Sequence, residues 1–489
     1  MIIEKADIVL FGGYGDLAKR KLWPSLFNLF AAGEMHADSR ILLLGRETVD
    51  AASLAARVTE TIADGAGDNW VEHGDAFLQR LSPVTLAMGS DDEDWSSLQS
   101  LLAEEPDRIR VYYLALPPAL FQTACDGLSE QGLINQRSRL VIEKPIGHDR
   151  QSAAEIVDGI ARHFPEDRVY RIDHYLGKET VQNLLVLRFA NTLFEQLWSN
   201  QSIASVQITL AETVGLEGRV SFYDQSGAMR DMVQNHLLQI LALVCMAPPN
   251  RMDAESIRQE KIKVLKALRP LVGNDVSANS VRGQYSAGVS GGIPVQGYLD
   301  ELGDQSMTET FVAIRAHVDN WRWAGVPFYL RTGKRLQHRF GEVVVQFKPV
   351  PHDVYDGGAG ELFANRLVIA MQPDESLNMT MMVKKPGRGE VRVEPMTMEL
   401  DLPEAHQNVG SGYQRLILDV INADQSLFVH KDEVDAAWAW VDPILEAWHS
   451  SGQPPLPYEA GSWGPREAEF MLARDGQSWI PPSDLAIQK

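Results

Sequence analysis

The run DIVLFGGYGDLAKRKL, Asp7 to Leu22, decides the fold of the first part of the chain. Asp7 to Phe11 has the short apolar texture of a buried strand, and from Asp16 to Ala32 the spacing predicts an amphipathic helix. Gly12, Gly13 and Gly15 lie at the junction. Glycines there let a phosphate approach backbone N–H groups where the helix dipole favours an anion. The spacing is GGxG, not the full GxGxxG, and alone it fits a tight strand-to-helix turn equally well. Repetition strengthens it. Strand-like runs recur at Arg40–Leu44, Arg110–Leu116, Leu140–Glu143 and Val169–Ile172 with amphipathic stretches between them. Such alternation predicts βαβ units around a parallel sheet, a doubly wound, Rossmann-like nucleotide-binding domain over residues 1–175.

Past Lys178 the pattern changes. Long helical patterns at Glu179–Trp198 and Ser226–Met246 flank a strand-like Ala204–Ala211, and Ala254–Leu268 reads as a third helix. The β-rich runs Thr310–Val318, Glu342–Phe347, Leu367–Met371, Leu377–Val383 and Val391–Leu400 predict a large, mainly antiparallel sheet. Residues 176–489 therefore read as a larger α+β domain. Two helical patterns follow, Tyr413–Ala423 and Asp432–His449, then a Gly- and Pro-rich, coiled stretch from Ser451 to Pro465.

Composition narrows the function. With 489 residues, 45% hydrophobic and 23% charged, the chain reads as a soluble globular protein too long for one core. Its 45 Lys and Arg against 66 Asp and Glu give a net charge of −21. That disfavours nonspecific binding to nucleic acid or an anionic membrane, so neither is expected as a partner, and any anionic ligand must meet a local basic cluster. Cys125 and Cys245 form neither a disulfide framework nor a CxxC metal pair, and read as buried small hydrophobes. The N-terminus lacks the features of a signal peptide, and the apolar run Leu237–Met246 is too short to span a bilayer, so a cytoplasmic location is expected.

Several motifs carry chemistry. After the second strand, Gly45 and Arg46 stand where a dinucleotide's adenosine ribose is expected. An acid there accepts from the 2′-hydroxyl of NAD, whereas an Arg pairs with the 2′-phosphate of NADP. The chain leans to NADP, with Glu47 leaving room for some NAD use. EKPIGHD, Glu143 to Asp149, ends another strand; Lys144 can reach both cofactor and substrate, and Pro145 fixes its turn, with a cis Lys144–Pro145 bond as one option. RIDHYLGKE, Arg171 to Glu179, places His174, Tyr175 and Lys178 as phosphate donors at the start of a helix. Asp173 is unsuited to phosphate and needs another role. A partner is offered by RDMVQNHLLQ, Arg230 to Gln239. There Asp231 and His236 are five apart, not stacked neighbours on an α-helix, and His236 suits removal of a hydroxyl proton with a carboxylate fixing its tautomer. LAETVGLEGR supplies Glu212 and Arg219, and RTGKRLQHR supplies Lys334 and Arg339. Singly, each of these residues fits an ordinary structural or solvated role; the combination carries the weight.

Together the segments GDLAKRKL, EKPIGHD, RIDHYLGKE, RDMVQNHLLQ, NWRWAGVPFYLRTGKRL and QPDE resemble the glucose-6-phosphate dehydrogenase family, in the family's order and over nearly the whole chain. The resemblance implies that His236 is the general base and Asp173 its carboxylate partner. It implies that His174, Tyr175 and Lys178 hold the substrate phosphate, that Glu212, Asp231 and Lys334 hold sugar hydroxyls, and that Arg339 lies near the phosphate. It assigns Lys144 to both substrate and cofactor. Gly12, Gly13, Gly15, Asp16, Leu17 and Arg46 fall to NADP, with no metal required. The family commonly has Ser or Thr where this chain has Tyr14, which puts a hydroxyl contact to the pyrophosphate in doubt. A homodimer or homotetramer built through the large sheet is also implied. Two rivals remain: a sugar dehydrogenase of the glucose-fructose oxidoreductase type, which also uses an EKP lysine, and a noncatalytic NADP-sensing protein.

Overall fold

Short runs of three to six residues between turn signals become the strands of a parallel sheet. In a computed structural model that describes residues 3–89, 94–216, 220–355, 357–373, 375–388, 390–401 and 412–482, these are β1 (Ala6–Phe11), β2 (Arg40–Gly45), β3 (Leu81–Thr85), β4 (Ile109–Leu114), β5 (Ser138–Ile142) and β6 (Val169–Arg171). Their order is β3-β2-β1-β4-β5-β6, every pairing parallel. Alternate side chains enter two separate cores: Ile8, Leu10, Ile41 and Leu43 on one face, Val9, Phe11, Leu42 and Leu44 on the other. Both faces are covered, as parallel sheets require. β3 is absent from the runs read above because Pro83 interrupts it; a strand that lacks a donor sits at a sheet edge, where β3 lies.

The chain divides into two units. One comprises Met1–Lys178, Asn250–Arg258 and Gln407–Asp435; the other comprises Glu179–Pro249, Gln259–His406 and Ala436–Lys489. Helix Gly412–Asn422 thus belongs to the first unit, where Leu416, Ile417, Val420 and Ile421 complete one core layer. The Arg139 guanidinium donates to its Val420 carbonyl at 2.6 Å, a cation on the last helical turn.

The second unit is built on β7 (Ile203–Ala211), β8 (Ser280–Ser286), β11 (Phe311–His317), β12 (Pro327–Gly333), β13 (Phe340–Phe347), β14 (Arg366–Gln372), β15 (Ser376–Lys384), β16 (Val393–Asp401) and β17 (Leu456–Glu459), with a small hairpin of β9 (Gly288–Ser290) and β10 (Ile293–Val295) beside it. The nine-stranded order is β16-β15-β14-β13-β7-β12-β11-β8-β17. The sheet is mixed and mostly antiparallel: β7 with β12 and β8 with β17 are parallel. β17 corrects the expected coil after Ser451, since Leu456–Glu459 adds an edge strand to β8.

Two further expectations change. The pattern Glu179–Trp198 is not one helix but Glu179–Phe189 and Thr192–Leu197. Asn191 at the junction is extended, and its amide caps the first helix by donating to the Leu187 carbonyl at 3.1 Å. The pattern Ser226–Met246 is likewise divided. A helical stretch Val220–Ala228 breaks at Gly227, a π-helix runs from Met229 to Leu237, and an α-helix continues from Leu238 to Cys245. Both cysteines are buried, and burial pushes the Cys125 thiol up to about 12. Among the described residues no helix is long and apolar enough to cross a membrane.

Candidate active site

At the carboxyl end of β1 Gly12 is sterically required and Gly13 is tightly packed. Gly12 has φ +72°, and a Cβ there would come within 2.3 Å of the Ala115 carbonyl oxygen; one on Gly13 would meet Leu43 Cα at 3.0 Å. The turn closes through Gly13 N–H to the Leu44 carbonyl at 2.8 Å and Gly15 N–H to the Gly12 carbonyl at 2.9 Å. Gly15 and Asp16 are exposed, with Asp16 paired to Arg20 at 2.8 Å, while Leu17 is half-buried against the core. Strand order reverses between β1 and β4, which opens the crevice where doubly wound sheets bind ligands. Exposed Arg46 follows β2. A glycine turn leading into a helix, with one exposed guanidinium after the neighbouring strand, suits a dinucleotide bearing a 2′-phosphate.

A second cluster of the first unit joins EKPIGHD to RIDHYLGKE. The Lys144–Pro145 bond is cis. β6 ends at Arg171, earlier than the sequence suggested, and the chain then makes two tight turns: Leu176 N–H to the Asp173 carbonyl at 3.0 Å and Lys178 N–H to the Tyr175 carbonyl at 3.1 Å. Asp173 is buried, and its Oδ1 accepts from Tyr175 N–H at 2.9 Å. The Lys178 ammonium lies 4.8 Å from the Tyr175 ring centroid. His174 and Lys178 are partly exposed and Tyr175 is buried, so these three side chains leave one short segment together. Gly177 and Gly412 meet backbone to backbone: a Cβ on Gly177 would lie 2.7 Å from the Gly412 oxygen.

That contact brings in residues the sequence reading missed. The Tyr413 ring stacks on the His174 imidazole, centroids 6.1 Å apart and planes 9° off parallel. Glu143 accepts from the Tyr113 hydroxyl at 2.5 Å and is also hydrogen-bonded by Tyr413. Burial pushes the Glu143 carboxyl up to about 7, against the pull of both phenols and Lys144. Glu143 stood inside a quoted motif, but its phenolic partners are distant in sequence and no local signal pairs them.

The second unit gathers Glu212, Lys334 and Asp231. β7 and β12 run parallel, and their adjacent ends place the Lys334 ammonium 2.7 Å from Glu212 Oε2 and 4.9 Å from the Tyr223 ring centroid. Tyr223, another residue not foreseen, is fully buried beside Asp231, Glu309 and Glu212, and burial raises its hydroxyl first, then those acids. Asp231 and His236 both lie in the π-helix, with His236 buried. Because a π turn closes between residues five apart, their spacing, unfavourable on an α-helix, becomes a near-stacked one. Arg339 is exposed just before β13, and no described contact draws it to Glu212 or Lys334. Arg219 and Asp374 of the QPDE run lie outside the described residues.

Family models match both parts of the chain: "Glucose-6-phosphate dehydrogenase, NAD binding domain" over residues 9–183 and "Glucose-6-phosphate dehydrogenase, C-terminal domain" over residues 185–480. The glucose-6-phosphate 1-dehydrogenase of Rhizobium meliloti (strain 1021) is 47% identical over 486 residues, covering 98% of each chain. That of Zymomonas mobilis subsp. mobilis is 47% identical over 485 residues, covering 97% of this chain and 99% of its own. A solved glucose-6-phosphate dehydrogenase in complex with its substrate glucose-6-phosphate is 35% identical, with TM-score 0.88 over 98% of this chain and 99% of that one.

Proposed function

The chain belongs to the glucose-6-phosphate dehydrogenase family, and from that premise we infer that it oxidises D-glucose 6-phosphate to 6-phospho-D-glucono-1,5-lactone. This is the NADP-linked first step of the oxidative pentose phosphate pathway. The end-to-end likeness to enzymes of that name carries the reading.

We assign the roles as follows. His174, Tyr175 and Lys178 receive the sugar phosphate; their common origin in one doubly turned segment and the helix that starts at Glu179 support this. Glu212, Asp231 and Lys334 hold the sugar hydroxyls, Arg339 adds charge near the phosphate, and Lys144 serves both ligands. His236 takes the C1 hydroxyl proton onto its ring while the C1–H electron pair departs as hydride. Asp173 fixes the imidazole tautomer and stabilises the imidazolium. Bound NADP+ supplies the nicotinamide that accepts this hydride. Gly12, Gly13, Gly15, Asp16 and Leu17 form the pyrophosphate turn and Arg46 meets the 2′-phosphate. The first unit thus carries the cofactor turn and the phosphate segment, and the second carries the base and the hydroxyl-binding acids. Holding the reacting carbon and cofactor in line contributes on the order of 7–11 kcal/mol of barrier lowering.

We also assign a homodimer, or a tetramer of dimers, to the large sheet. Cross-strand pairs Leu377–Leu400, Met379–Met398 and Met381–Met396 form an apolar ladder on β15 and β16, and Met396, Met398 and Leu400 are each about half exposed or more.

The test is an initial-rate assay with glucose 6-phosphate or glucose, each with NADP+ or NAD+, followed by reduced-nicotinamide absorbance. Turnover is expected with the phosphorylated sugar. The substitution His236→Asn should lower kcat by roughly 10²-fold or more with KM little changed. Absence of reduction with glucose 6-phosphate and either cofactor refutes the reading.

A further inference from the structure

Beyond the glycine turn, the carboxyl end of β2 gathers around Arg46 three residues that the assigned roles leave unused, Tyr14, Glu47 and Arg57. Tyr14 donates its hydroxyl to the Leu43 carbonyl at 3.1 Å, and its ring fills the space where a Cβ on Gly45 would stand, 2.3 Å from Tyr14 Cδ2. The Tyr14 side chain therefore clamps the end of β2. That fixes where the next two residues, exposed Arg46 and Glu47, leave the sheet. The Glu47 carboxylate is ion-paired with Arg57, from helix Ala51–Ala66, whose start is set by Asp50 accepting from Ser53 N–H at 2.8 Å. Tyr14 senses both: burial first pushes its hydroxyl up to about 12, Glu47 adds to that rise and Arg57 opposes it. One strand end thus presents a guanidinium, a carboxylate and a second guanidinium around the place assigned to the adenosine ribose.

These charges have opposite preferences. A carboxylate beside a ribose accepts from a 2′-hydroxyl and repels a 2′-phosphate, whereas a guanidinium binds the phosphate through paired N–H donors. An exposed ion pair adds little to stability, so the Glu47–Arg57 pair is dispensable to the fold and its members are available to a ligand. We propose that Arg57 is a second determinant of cofactor choice: its guanidinium leaves Glu47 to bind the adenosine 2′-phosphate together with Arg46. Glu47 is then the acceptor for a 2′-hydroxyl when that phosphate is lacking. This rests on the NADP reading above and deepens it, since it names the residues at one strand end that would favour each dinucleotide.

The experiment measures binding of 2′,5′-ADP and of 5′-AMP by titration calorimetry, together with KM for NADP+ and NAD+. The proteins are the wild type, Arg57→Ala, Glu47→Gln and the double variant. Arg57→Ala is expected to weaken 2′,5′-ADP about tenfold or more, the usual worth of a charge-assisted hydrogen bond, and to change 5′-AMP less than about twofold. Glu47→Gln is expected to tighten 2′,5′-ADP and to raise KM for NAD+. In the Glu47→Gln background, Arg57→Ala should keep its effect, because the guanidinium contacts the phosphate itself. The proposal is overturned if Arg57→Ala weakens both nucleotides equally or neither, or if its effect vanishes once Glu47 is neutral. Nucleotide binding needs no turnover: a wild type that binds in the expected pattern but does not oxidise glucose 6-phosphate refutes the enzymatic reading and leaves this one standing.

Discussion

Glu143 is an acid in an environment that favours its neutral form. Burial outweighs the two phenol hydroxyls and Lys144, and its carboxyl rises from 4.5 to about 7. The linkage has a definite sign. With the folded value above the unfolded one, the native state binds the extra proton between pH 4.5 and about 7. The stability this contributes is therefore complete below pH 4.5, fades as pH rises and is gone above about 7. The shift corresponds to about 3 kcal/mol. Urea unfolding of the wild type and Glu143→Gln at pH 5 and pH 8 should show the wild type losing stability of that order relative to the variant. Parallel pH profiles would mean that Glu143 titrates normally. At this scale the sequence was legible where backbone structure is local: Gly12 and Gly13 fall in the turn after β1, Lys144–Pro145 follows β5 as a cis bond, and two tight turns hold His174, Tyr175 and Lys178 in one short segment. The Glu143–Tyr113–Tyr413 group was not legible, because it exists only once helix Gly412–Asn422 returns to the first unit.

Among the elements, the segment from Val220 to Cys245 departs furthest from its sequence pattern. Apolar spacing marks it as helical, yet spacing does not distinguish an α-helix from a π-helix, and the difference lies in where the chain is anchored. Gly227, with φ +71° and ψ +169°, occupies a region essentially reserved for glycine. A Cβ there would lie 2.5 Å from Glu309 Oε1, the atom that accepts from Met229 N–H at 2.9 Å. Ala228 N–H also donates to the Glu309 carbonyl at 2.9 Å. Buried Glu309 thus holds the first turn of the π-helix, and the missing side chain at 227 lets it do so. The substitution Gly227→Ala should cost about 1–3 kcal/mol for the backbone strain alone. It should also lower kcat, since the start of the helix bearing Asp231 and His236 loses its anchor. Thermal unfolding and initial rates check both; an unchanged Tm with unchanged kcat would show that Glu309 is not the anchor.

At the scale of the molecule, the alternation of strands and helices before Lys178 was enough to give the parallel sheet, and the later β-rich runs gave the existence of the second sheet but not its order. β7 lies between β13 and β12, strands more than a hundred residues downstream, and β17 arrives from a stretch whose prolines suggest coil. Strand order follows from which faces bury which, a nonlocal property. What the register does reveal is the character of the β16 edge. There Leu377, Met379 and Met381 pair directly with Leu400, Met398 and Met396, so one face of the last hairpin is a continuous apolar strip. On a monomer such a strip beside an unpaired edge would be exposed to water and prone to association. Burying it against a second copy removes both costs, and methionines, which adapt their shape, suit a surface that packs on itself. Met396→Glu combined with Met398→Glu would place two like charges in that strip, on a protein already at −21. Sedimentation velocity should find the wild type as a dimer or larger and the double variant shifted toward monomer, with its circular dichroism spectrum unchanged. A wild type that sediments as a monomer at micromolar concentration, or a variant that keeps the wild-type oligomer, would remove the interface from this face.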